Sequence, residues 1–584
     1  MVKRGVGLVL TLIALAIVVS MAALLLMYLL VGREPPVATE STLVLRPGGE
    51  LHEAVPDDVL GFIRGDLTTV RGFVDTLRKA ARDARITTVL LMPGAFDLPF
   101  WGKVQELRDA VIDFRKSGKT VVAFLEYGGD REYYLASAAD RVFLVPTAPL
   151  NLAGVASYEI FLRGALDTIG AYPDFHSIGE YKTAVNQLTE RTFTPAHREM
   201  AESLNRDMYE QLVRGIAEAR KKTEAEVRAL LDEGPFAPED ALREGLVDDL
   251  AYEDQLDDRV PQLKAAPGDV RRIEAAEYGR ISPRSAGIRP RSRIAVIYVV
   301  GVIAGGRSGF DPVNGSVAGS STIVEQIRRV RDDASVKAIV VRVDSPGGAS
   351  TAADVIWREL MITRDEQPAR PLVTSMSDLA ASGGYYIAMP GQVIVAQPAT
   401  LTGSIGIYTG KLVVDGTMKK LGVSTETVKS GPNADIYSPF SRFTPAQRAR
   451  IDQHMQGFYD QFVEKVARSR QTTPERIDAI AQGRVWTGRQ ARELGLVDEL
   501  GGLDAAVAAA KQRARIPADE DVELVIYPPR RSFYEALASQ FGSGGAGAWP
   551  ALLGGTPAMA ALTAPIRMFR RGEPMALMPF AFVR

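Results

Sequence analysis

The sequence contains no cysteine, and only 4 of its 584 residues are histidine. Without cysteine the protein has no disulfides, no thiolate metal sites and no cysteine nucleophile. The scarcity of histidine removes most candidates for the usual activator of a nucleophilic serine. The four histidines are His52, His176, His197 and His454. His197 and His454 fall in corresponding helical stretches, and neither position indicates a catalytic base.

Several familiar motifs are also missing. The sequence has no G-x-S-x-G, H-E-x-x-H or Walker motif, which removes the commonest signatures of α/β-hydrolases, zinc proteases and P-loop proteins. A formal net charge of −2 gives no reason to expect a nucleic-acid partner. We expect neither a cofactor nor a metal ion. At this length, two or more domains with large cores are expected.

A long apolar run stands at the start of the sequence. After Lys3 and Arg4, residues 5–32 include no charged side chain. The run exceeds both the ~20 residues that cross a bilayer core and the ~7–15 apolar residues of a cleaved signal peptide. It therefore predicts an uncleaved transmembrane signal-anchor over residues 1–32. The basic residues before it would keep the N-terminus cytoplasmic and place the rest of the chain outside.

From about residue 43 to residue 515 the chain repeats itself. Three motifs recur in the same order: YYLA at 133 as YYIA at 385, FTPAHRE at 193 as FTPAQRA at 443, and EGLVDDL at 244 as LGLVDEL at 494. All three offsets lie between 250 and 252 residues. Matches in order at a nearly constant offset indicate a tandem duplication.

Five segments follow from this pattern. They are the anchor (1–32), a first repeat (43–262), a linker rich in Arg, Pro and Gly (263–293), a second repeat (294–527) and a tail rich in Gly, Ala and Pro (528–584). The linker is expected to be partly ordered. The tail is either a flexible terminus or a membrane-surface segment, and the sequence leaves both open.

Within each repeat, short apolar runs alternate with amphipathic helical stretches. Examples of the runs are residues 87–92 in the first repeat and 337–343 in the second. Continuous runs of β-branched residues separated by helices are typical of buried parallel strands. The sequence therefore predicts an α/β fold in each repeat, with parallel sheets and flanking helices.

The stretch LAASGGYYIAM (379–389) places Ser382 between two alanines and a Gly-Gly pair. A short loop separates it from the apolar run 371–376, and it opens a helical stretch whose free amides favour developing negative charge. Upstream, VRVDSPGG leads from a strand into a Pro-Gly-Gly turn. We predict that the Gly383 amide and an amide of Gly347 or Gly348 form an oxyanion hole beside a nucleophilic Ser382. A small-residue helix packed on a sheet would show the same S-G-G motif.

The repeat supplies a candidate base for this serine. The residue 252 positions before Ser382 is Asp130, so the first copy lacks the serine. The first copy instead carries Lys182 in SIGEYKTAVN, and the matching positions 432–434 of the second copy hold no lysine. Each copy thus carries half of a possible Ser–Lys dyad. A lysine with a pKa of about 10.4 in water must be desolvated to act as a base, so the site should be dry and apolar. The alternative for Lys182 is a solvated loop lysine.

The strand–PGG–helix–strand–SGG order resembles the active-site half of the Clp-protease and crotonase fold. From the anchor to about residue 525, the chain resembles the long, two-copy form of the signal peptide peptidase SppA family of membrane-anchored serine proteases. The resemblance implies that Ser382 of the S-G-G-Y motif is the nucleophile and that Lys182 of the G-x-Y-K motif is the general base. It also implies that Ser404, in LTGSIGI, contacts the lysine amine.

The same resemblance implies a setting and partners. It places the protein in the bacterial inner membrane as a single-pass protein with its catalytic domains on the periplasmic side. Remnant signal peptides and other apolar peptide segments would be its substrates, and a homotetramer its assembly. Two alternatives stay open on the residues alone: a crotonase-like acyl-CoA enzyme, and a non-catalytic scaffold built on a protease-like fold.

Overall fold

The computed structural model describes residues 34–53, 69–263, 272–311, 315–366, 370–529, 574–578 and 582–583, together with residues 15 and 18–20. The predicted anchor helix over residues 1–32 lies almost wholly outside the described residues. Among the helices that are described, none combines the length and the apolar character needed to span a bilayer.

The first repeat is built on a six-stranded sheet in which all neighbours run parallel. Its central strands are almost entirely buried runs rich in Val, Leu and Ile, as expected when helices cover both faces. The edge strand at 272–274 comes from the predicted linker, so that part of the linker completes the first sheet. In spatial order the strands are Arg272–Glu274, Ser41–Leu45, Ile86–Leu91, Thr120–Leu125, Arg141–Leu144 and Asp249–Leu250.

The second repeat has an eight-stranded sheet, parallel except for its edge strand at 485–487. The strand predicted at 371–376 continues to Ala381, so the prediction of a loop before Ser382 was wrong. The strand is longer because a second neighbour, at 401–403, pairs with its last three residues. In spatial order the strands are Val485–Thr487, Leu401–Gly403, Leu372–Ala381, Val336–Ser345, Ser292–Val300 and Val522–Tyr527, with Val393–Ala396 and then Glu499–Leu500 beside Leu372–Ala381.

Helices flank both sheets, and several of them begin at a threonine cap. Thr194 and Thr444 each accept a hydrogen bond from the third residue of the helix that follows, and a proline occupies the first turn of each. The α-helices of the first half are Val70–Arg82, Gly102–Arg115, Asp130–Ala136, Arg163–Ile169, Asn186–Thr189, Pro195–Arg220, Glu224–Glu233, Pro238–Arg243, Leu256–Arg259 and Ala275–Gly279. Those of the second half are Ser320–Asp332, Ser350–Asp365, Gly383–Ala388, Asp415–Lys420, Pro445–Ser469, Pro474–Asp478, Gly488–Glu493 and Leu503–Arg513.

The duplication is visible at the level of single hydrogen bonds. The Tyr133 hydroxyl donates to the Leu246 carbonyl at 2.6 Å, and the Tyr385 hydroxyl donates to the Leu496 carbonyl at 2.9 Å. In both repeats an arginine at the end of the long helix pairs with the aspartate of the L-V-D motif; the two pairs are Arg220–Asp248 and Arg470–Asp498. The motifs that identified the repeat in the sequence therefore hold the same helix–strand junction in both halves.

A third sheet of seven short strands joins the two repeats. Its key pairing is antiparallel, between Tyr172–Ile178 of the first repeat and Ile407–Val413 of the second. Because Ile178 is opposite Ile407, the residues that follow Ile178 lie against the second repeat. In spatial order the strands are Gly309–Asp311, Gly315–Gly319, Val302–Ala304, Gly347–Ala349, Met575–Leu577, Ile407–Val413 and Tyr172–Ile178.

Buried charges also connect the repeats beneath the strands that lead to Ser382. Lys103 of the first repeat lies 2.9 Å from Asp344 and 3.5 Å from Asp378 of the second. Burial alone would lower the pKa of Lys103, but the two carboxylates outweigh that effect and raise it. Beside this cluster, Arg342 pairs with Glu53 and Glu106 of the first repeat. Each of these buried charges has its opposite charge on the other repeat. The charges are therefore fully paired only when the two repeats are packed together in this register.

Replacing Lys103 with methionine is expected to lower the free energy of unfolding by about 3–5 kcal/mol, because two buried carboxylates lose their cation. Urea denaturation measures the change. The control is Arg468→Met, which breaks an exposed pair with Glu464 and should cost at most about 1 kcal/mol. Equal effects for the two variants would contradict a stabilising role for the buried cluster.

Candidate active site

Ser382 stands where the strand Leu372–Ala381 meets the helix Gly383–Ala388. Its backbone angles, φ 56° and ψ −113°, lie in a region that residues with a side chain rarely occupy. Two hydrogen bonds hold this turn: the Ser382 amide donates to the Gly403 carbonyl at 2.7 Å, and the Ser382 carbonyl accepts from the Tyr386 amide at 2.9 Å. A strained strand-to-helix turn of this kind projects its side chain away from both elements, as nucleophile-bearing turns do.

Lys182 reaches the second repeat from the end of the strand Tyr172–Ile178. A tight turn follows that strand, in which the Lys182 amide donates to the Gly179 carbonyl at 3.1 Å. The turn rests on the second repeat, because the Tyr181 amide donates to the Gln482 carbonyl at 2.8 Å. Gly483 permits this contact: a Cβ there would lie 2.5 Å from both the backbone nitrogen and the Cβ of Lys182.

The lysine amine ends between two serines of the second repeat. Lys182 Nζ lies 2.8 Å from Ser382 Oγ, 2.9 Å from Ser404 Oγ and 3.0 Å from the Ser404 carbonyl oxygen. All three residues are at most 1 % exposed. A neutral amine has two N–H bonds and one lone pair. Donating both N–H bonds to the oxygens of Ser404 leaves the lone pair directed at the Ser382 hydroxyl.

Burial lowers the pKa of Lys182 well below its ordinary value of 10.5. The physical cause is desolvation, since an ammonium group would lose its hydration in this pocket. The amine therefore stays neutral at a lower pH than a solvated lysine would. Of the two interpretations left open by the sequence, the solvated loop lysine does not describe this position.

The three glycines predicted for the oxyanion hole lie together next to Ser382, but their amides do not all point in the same direction. A Cβ on Gly383 would lie 3.1 Å from the amide nitrogen of Gly348. The amide of Gly347 is directed elsewhere and donates to Ser345 Oγ at 3.1 Å. A Cβ on Gly347 would lie 2.7 Å from the Gly383 nitrogen, so a side chain there would fill the space between the two amides. The geometry therefore favours Gly348 and Gly383 as donors, with Gly347 keeping the space open.

At the equivalent position of the first repeat, carboxylate side chains accept hydrogen bonds from the backbone amides. Asp130, which replaces the serine, accepts hydrogen bonds from the amides of Ala153 and Gly154. Phe96 lies 252 residues before Gly348, and its amide donates to Glu132 at 2.8 Å. The amide that could hold an oxyanion in the second repeat is thus occupied in the first.

Two of the histidines, His197 and His176, each contact a carboxylate away from Ser382. His197 is fully buried, and its Nε2 lies 2.8 Å from Glu159. His176 pairs with Asp452 at 2.9 Å. His454 is exposed on its helix. The scarcity of histidine in the sequence is consistent with a site built on lysine.

Two features of the site were not predicted from the sequence. One is Gly483, a single glycine whose importance depends on the turn packed against it. The other is the strand Met575–Leu577, which comes from the tail and pairs with Gly347–Ala349. Part of the tail is therefore a strand beside the site, a structure that neither sequence interpretation of the tail included. Its short run of apolar residues, 575–578, was the signal that the sequence offered.

Comparison with known proteins identifies the family. Residues 113–266 and 364–517 each match Peptidase family S49. The chain belongs to peptidase family S49. The start points of the two matches are 251 residues apart, which agrees with the tandem duplication predicted from the sequence. The predictions of a serine protease and of a two-copy member of the signal peptide peptidase SppA family are confirmed.

Individual relatives match between one third and about three quarters of the chain. The chain is 34% identical over 451 residues to the chloroplastic serine protease SPPA of Arabidopsis thaliana, covering 76% of this chain and 66% of that protein. It is 34% identical over 454 residues to Protease 4 of Salmonella typhi, covering 76% and 72%. A putative signal peptide peptidase SppA of Enterococcus faecium is 34% identical over 191 residues, which is 33% of this chain and 55% of that one.

Replacing Gly483 with alanine is expected to lower kcat by about 100-fold, because the new Cβ would displace the Lys182 turn and a displacement of about 1 Å can cost that much. Rates of peptide hydrolysis measure the effect. Gly422→Ala is the matched control: its φ of +73° is close to the +77° of Gly483, but nothing lies within 4 Å of its Cβ position. Equal losses in the two variants would show that backbone strain, and not the lysine's position, is responsible.

The buried amine should also be visible in the pH dependence of stability. Because the pKa of Lys182 is lowered in the folded state, the unfolded chain binds one more proton between that lowered value and about 10.4. The contribution of Lys182 to wild-type stability therefore rises with pH across this window, by about 1.4 kcal/mol per pH unit. Lys182→Met removes this contribution, so the variant's stability relative to wild type should fall as the pH rises toward 10. The exposed Lys337, changed to methionine, is the control. A pH-independent difference for Lys182→Met would contradict a neutral buried amine.

Proposed function

We propose that this protein is a membrane-anchored endopeptidase in which Ser382 is the nucleophile and Lys182 the general base. The observation that carries the proposal is the 2.8 Å separation of Lys182 Nζ and Ser382 Oγ in a buried site. Its support lies in three independent features: the strained turn at Ser382, the desolvated amine, and two backbone amides facing one position. Together they are the parts that acyl transfer requires.

In the first half of the reaction, Ser382 Oγ attacks the carbonyl carbon of the substrate peptide bond. Lys182 takes the hydroxyl proton on its lone pair as the bond forms. The amides of Gly348 and Gly383 hold the oxyanion that develops on the carbonyl oxygen. Ser404 acts as a positioning residue, since its two oxygens fix the direction of the lysine lone pair.

In the second half, the proton on Lys182 passes to the leaving amine and the C–N bond breaks, which leaves an acyl-enzyme ester on Ser382. A water molecule then gives a proton to Lys182 and attacks the ester. The same proton returns to Ser382 Oγ as the new carboxyl group leaves. A desolvated ammonium group is costly, so the pocket favours the return of each proton.

Apolar peptides, including remnants of cleaved signal peptides, are the proposed substrates. The apolar run over residues 5–32 supports anchoring of the protein in a membrane, where such peptides concentrate. One relative is named a putative signal peptide peptidase. We extend the proposal to the inner membrane of a bacterium, with the catalytic repeats on the periplasmic side, as the basic residues before the run favour. The homotetramer stays a prediction, and sedimentation of the detergent-solubilised chain tests it.

The full-length protein is expected to hydrolyse casein and to be labelled by a serine-directed phosphonate. Ser382→Ala should lose both properties, and Lys182→Met should lower kcat/KM by about 10³-fold or more. Activity should fall as the pH drops through the lowered pKa of Lys182, because the protonated amine has no lone pair. The inflection should therefore lie well below 10.5.

Lys337→Met is the control for loss of a lysine elsewhere, and it should keep wild-type activity. A Lys182→Met protein that cleaves casein at the wild-type rate would refute the dyad. Hydrolysis of acyl-CoA thioesters without hydrolysis of casein would instead favour a crotonase-like enzyme. Absence of both labelling and hydrolysis in the wild type would favour the scaffold.

A further inference from the structure

An arginine of the second repeat lies over the turn that carries Lys182. The Arg484 Cζ atom is 4.6 Å from the centre of the Tyr181 ring, and Tyr181 is the residue before Lys182. Arg484 Nη1 donates to Glu199 Oε1 at 2.7 Å, and the Tyr181 hydroxyl donates to Glu199 Oε2 at 2.9 Å. The two oxygens of one carboxylate therefore connect the arginine to the tyrosine. These three side chains, Tyr181, Glu199 and Arg484, form the arginine cluster.

The backbone of the same arginine holds the serine that orients the lysine amine. The Arg484 carbonyl accepts a hydrogen bond from the Ser404 amide at 2.7 Å. Ser404 has a φ of 49°, in the left-handed region that is uncommon for residues with a side chain. Arg484 thus contacts both sides of the amine, because its carbonyl binds Ser404 and its side chain covers the residue next to Lys182.

Arg484 is itself held in one orientation. Its Cζ atom also lies 4.4 Å from the centre of the Trp486 ring, so the guanidinium group contacts two aromatic side chains. Trp486 Nε1 donates to the Ile480 carbonyl at 2.9 Å, which fixes the indole. Arginine is suited to this place, because its planar guanidinium can contact ring faces and a carboxylate at the same time.

Comparison of the two copies links the cluster to the dyad. At the 250-residue offset that relates the F-T-P-A and L-V-D motifs, Arg484 corresponds to Gly234, and Glu199 corresponds to Ala449. A charge that supported only the common fold of the repeats would be expected in both copies. Neither of these charges has a counterpart in the other copy, and the same is true of the serine and the lysine of the dyad.

We propose that Arg484 is a positioning residue of the Ser–Lys dyad, acting through Glu199 and Tyr181 on the Lys182 turn. The inference rests on the proposed function and adds a residue to the same site. The cluster keeps the turn in contact with the second repeat, so that the amine stays between the two serines and out of water. Arg484 takes no part in proton transfer, since its side chain contacts the cluster and Trp486 and not the reacting atoms.

Loss of the cluster should have two effects on the lysine. The amine would be directed less accurately at the Ser382 hydroxyl, which lowers kcat. Water would also reach the amine more easily. Because burial is what lowers the pKa of Lys182, partial hydration would raise that pKa. A merely structural role for Arg484 would change stability or KM without moving the pKa of Lys182.

The test compares Arg484→Met and Glu199→Met in the full-length protein. Each should lower kcat for hydrolysis of a fluorogenic apolar peptide by about 10-fold, with KM unchanged. Each should also move the acidic inflection of the pH profile to higher pH by about one unit. The double variant should resemble either single variant, because the two side chains act as a unit.

The direction of the two shifts separates positioning from a simple charge effect. Arg484 is a cation and Glu199 an anion, so their removal changes the electrostatic potential at the lysine in opposite directions. By charge alone, Arg484→Met would raise the pKa of Lys182 and Glu199→Met would lower it. Loss of positioning raises the pKa in both variants. Opposite shifts would therefore overturn the inference.

Arg489→Met is the matched control. Arg489 also belongs to the second repeat and pairs with Asp207 of the helix Pro195–Arg220, the helix that carries Glu199. Asp207 lies about 12 Å along this helix from Glu199. Because Asp207 is buried, Arg489→Met should lower the urea midpoint at least as much as Arg484→Met does. It should leave the pH inflection in place.

The outcomes separate this inference from the proposed function. An active wild type whose inflection stays in place in either cluster variant overturns the inference alone, as does an equal shift in Arg489→Met. A wild type that neither hydrolyses peptide nor reacts with a serine-directed phosphonate overturns both.

Stability gives a readout that needs no activity. The pH-dependent difference in stability caused by Lys182→Met should begin at a higher pH in the Arg484→Met background than in the wild-type background. Urea denaturation over a series of pH values measures it. An unchanged starting pH would overturn the inference whatever the kinetics.

Discussion

The site depends on one constraint: the amine of Lys182 must be kept out of water. An exposed lysine is protonated at neutral pH and cannot accept a proton from a serine hydroxyl. Here burial lowers the pKa of Lys182, and the two oxygens of Ser404 replace the lost hydration by accepting its N–H bonds. The remaining lone pair is directed at Ser382. The dry pocket, the fixed lysine turn and the small residues around it all serve this arrangement.

Neither repeat could build that pocket alone. The second supplies the strained turn of Ser382 and the glycine amides, and the first supplies the lysine through the antiparallel pairing of Tyr172–Ile178 with Ile407–Val413. The first repeat has no serine at this position. There Asp130 and Glu132 accept hydrogen bonds from backbone amides that would otherwise be left unpaired. The buried pairs of Lys103 and Arg342 keep the two halves in the register that brings Lys182 to Ser382.

The third sheet places part of the tail beside Ser382. The strand Met575–Leu577 runs antiparallel to Gly347–Ala349 on one side and to Ile407–Val413 on the other. Ala576 is fully buried, and Met575 and Leu577 pack in the apolar core of the second repeat. The tail therefore contributes a strand to the same sheet that joins the two repeats.

The sequence by itself determined the α/β class and the tandem duplication, and it predicted Ser382, Lys182 and the glycines as site residues, because these follow from local patterns and from comparing one copy with the other. It could not show that the strand before Ser382 runs to Ala381, that Gly483 supports the lysine turn, or that Gly348 and not Gly347 presents its amide. Nor could it place residues 575–577 beside Gly347–Ala349. Those features depend on contacts between residues hundreds of positions apart. Such contacts exist only once the two repeats have packed and excluded water between them.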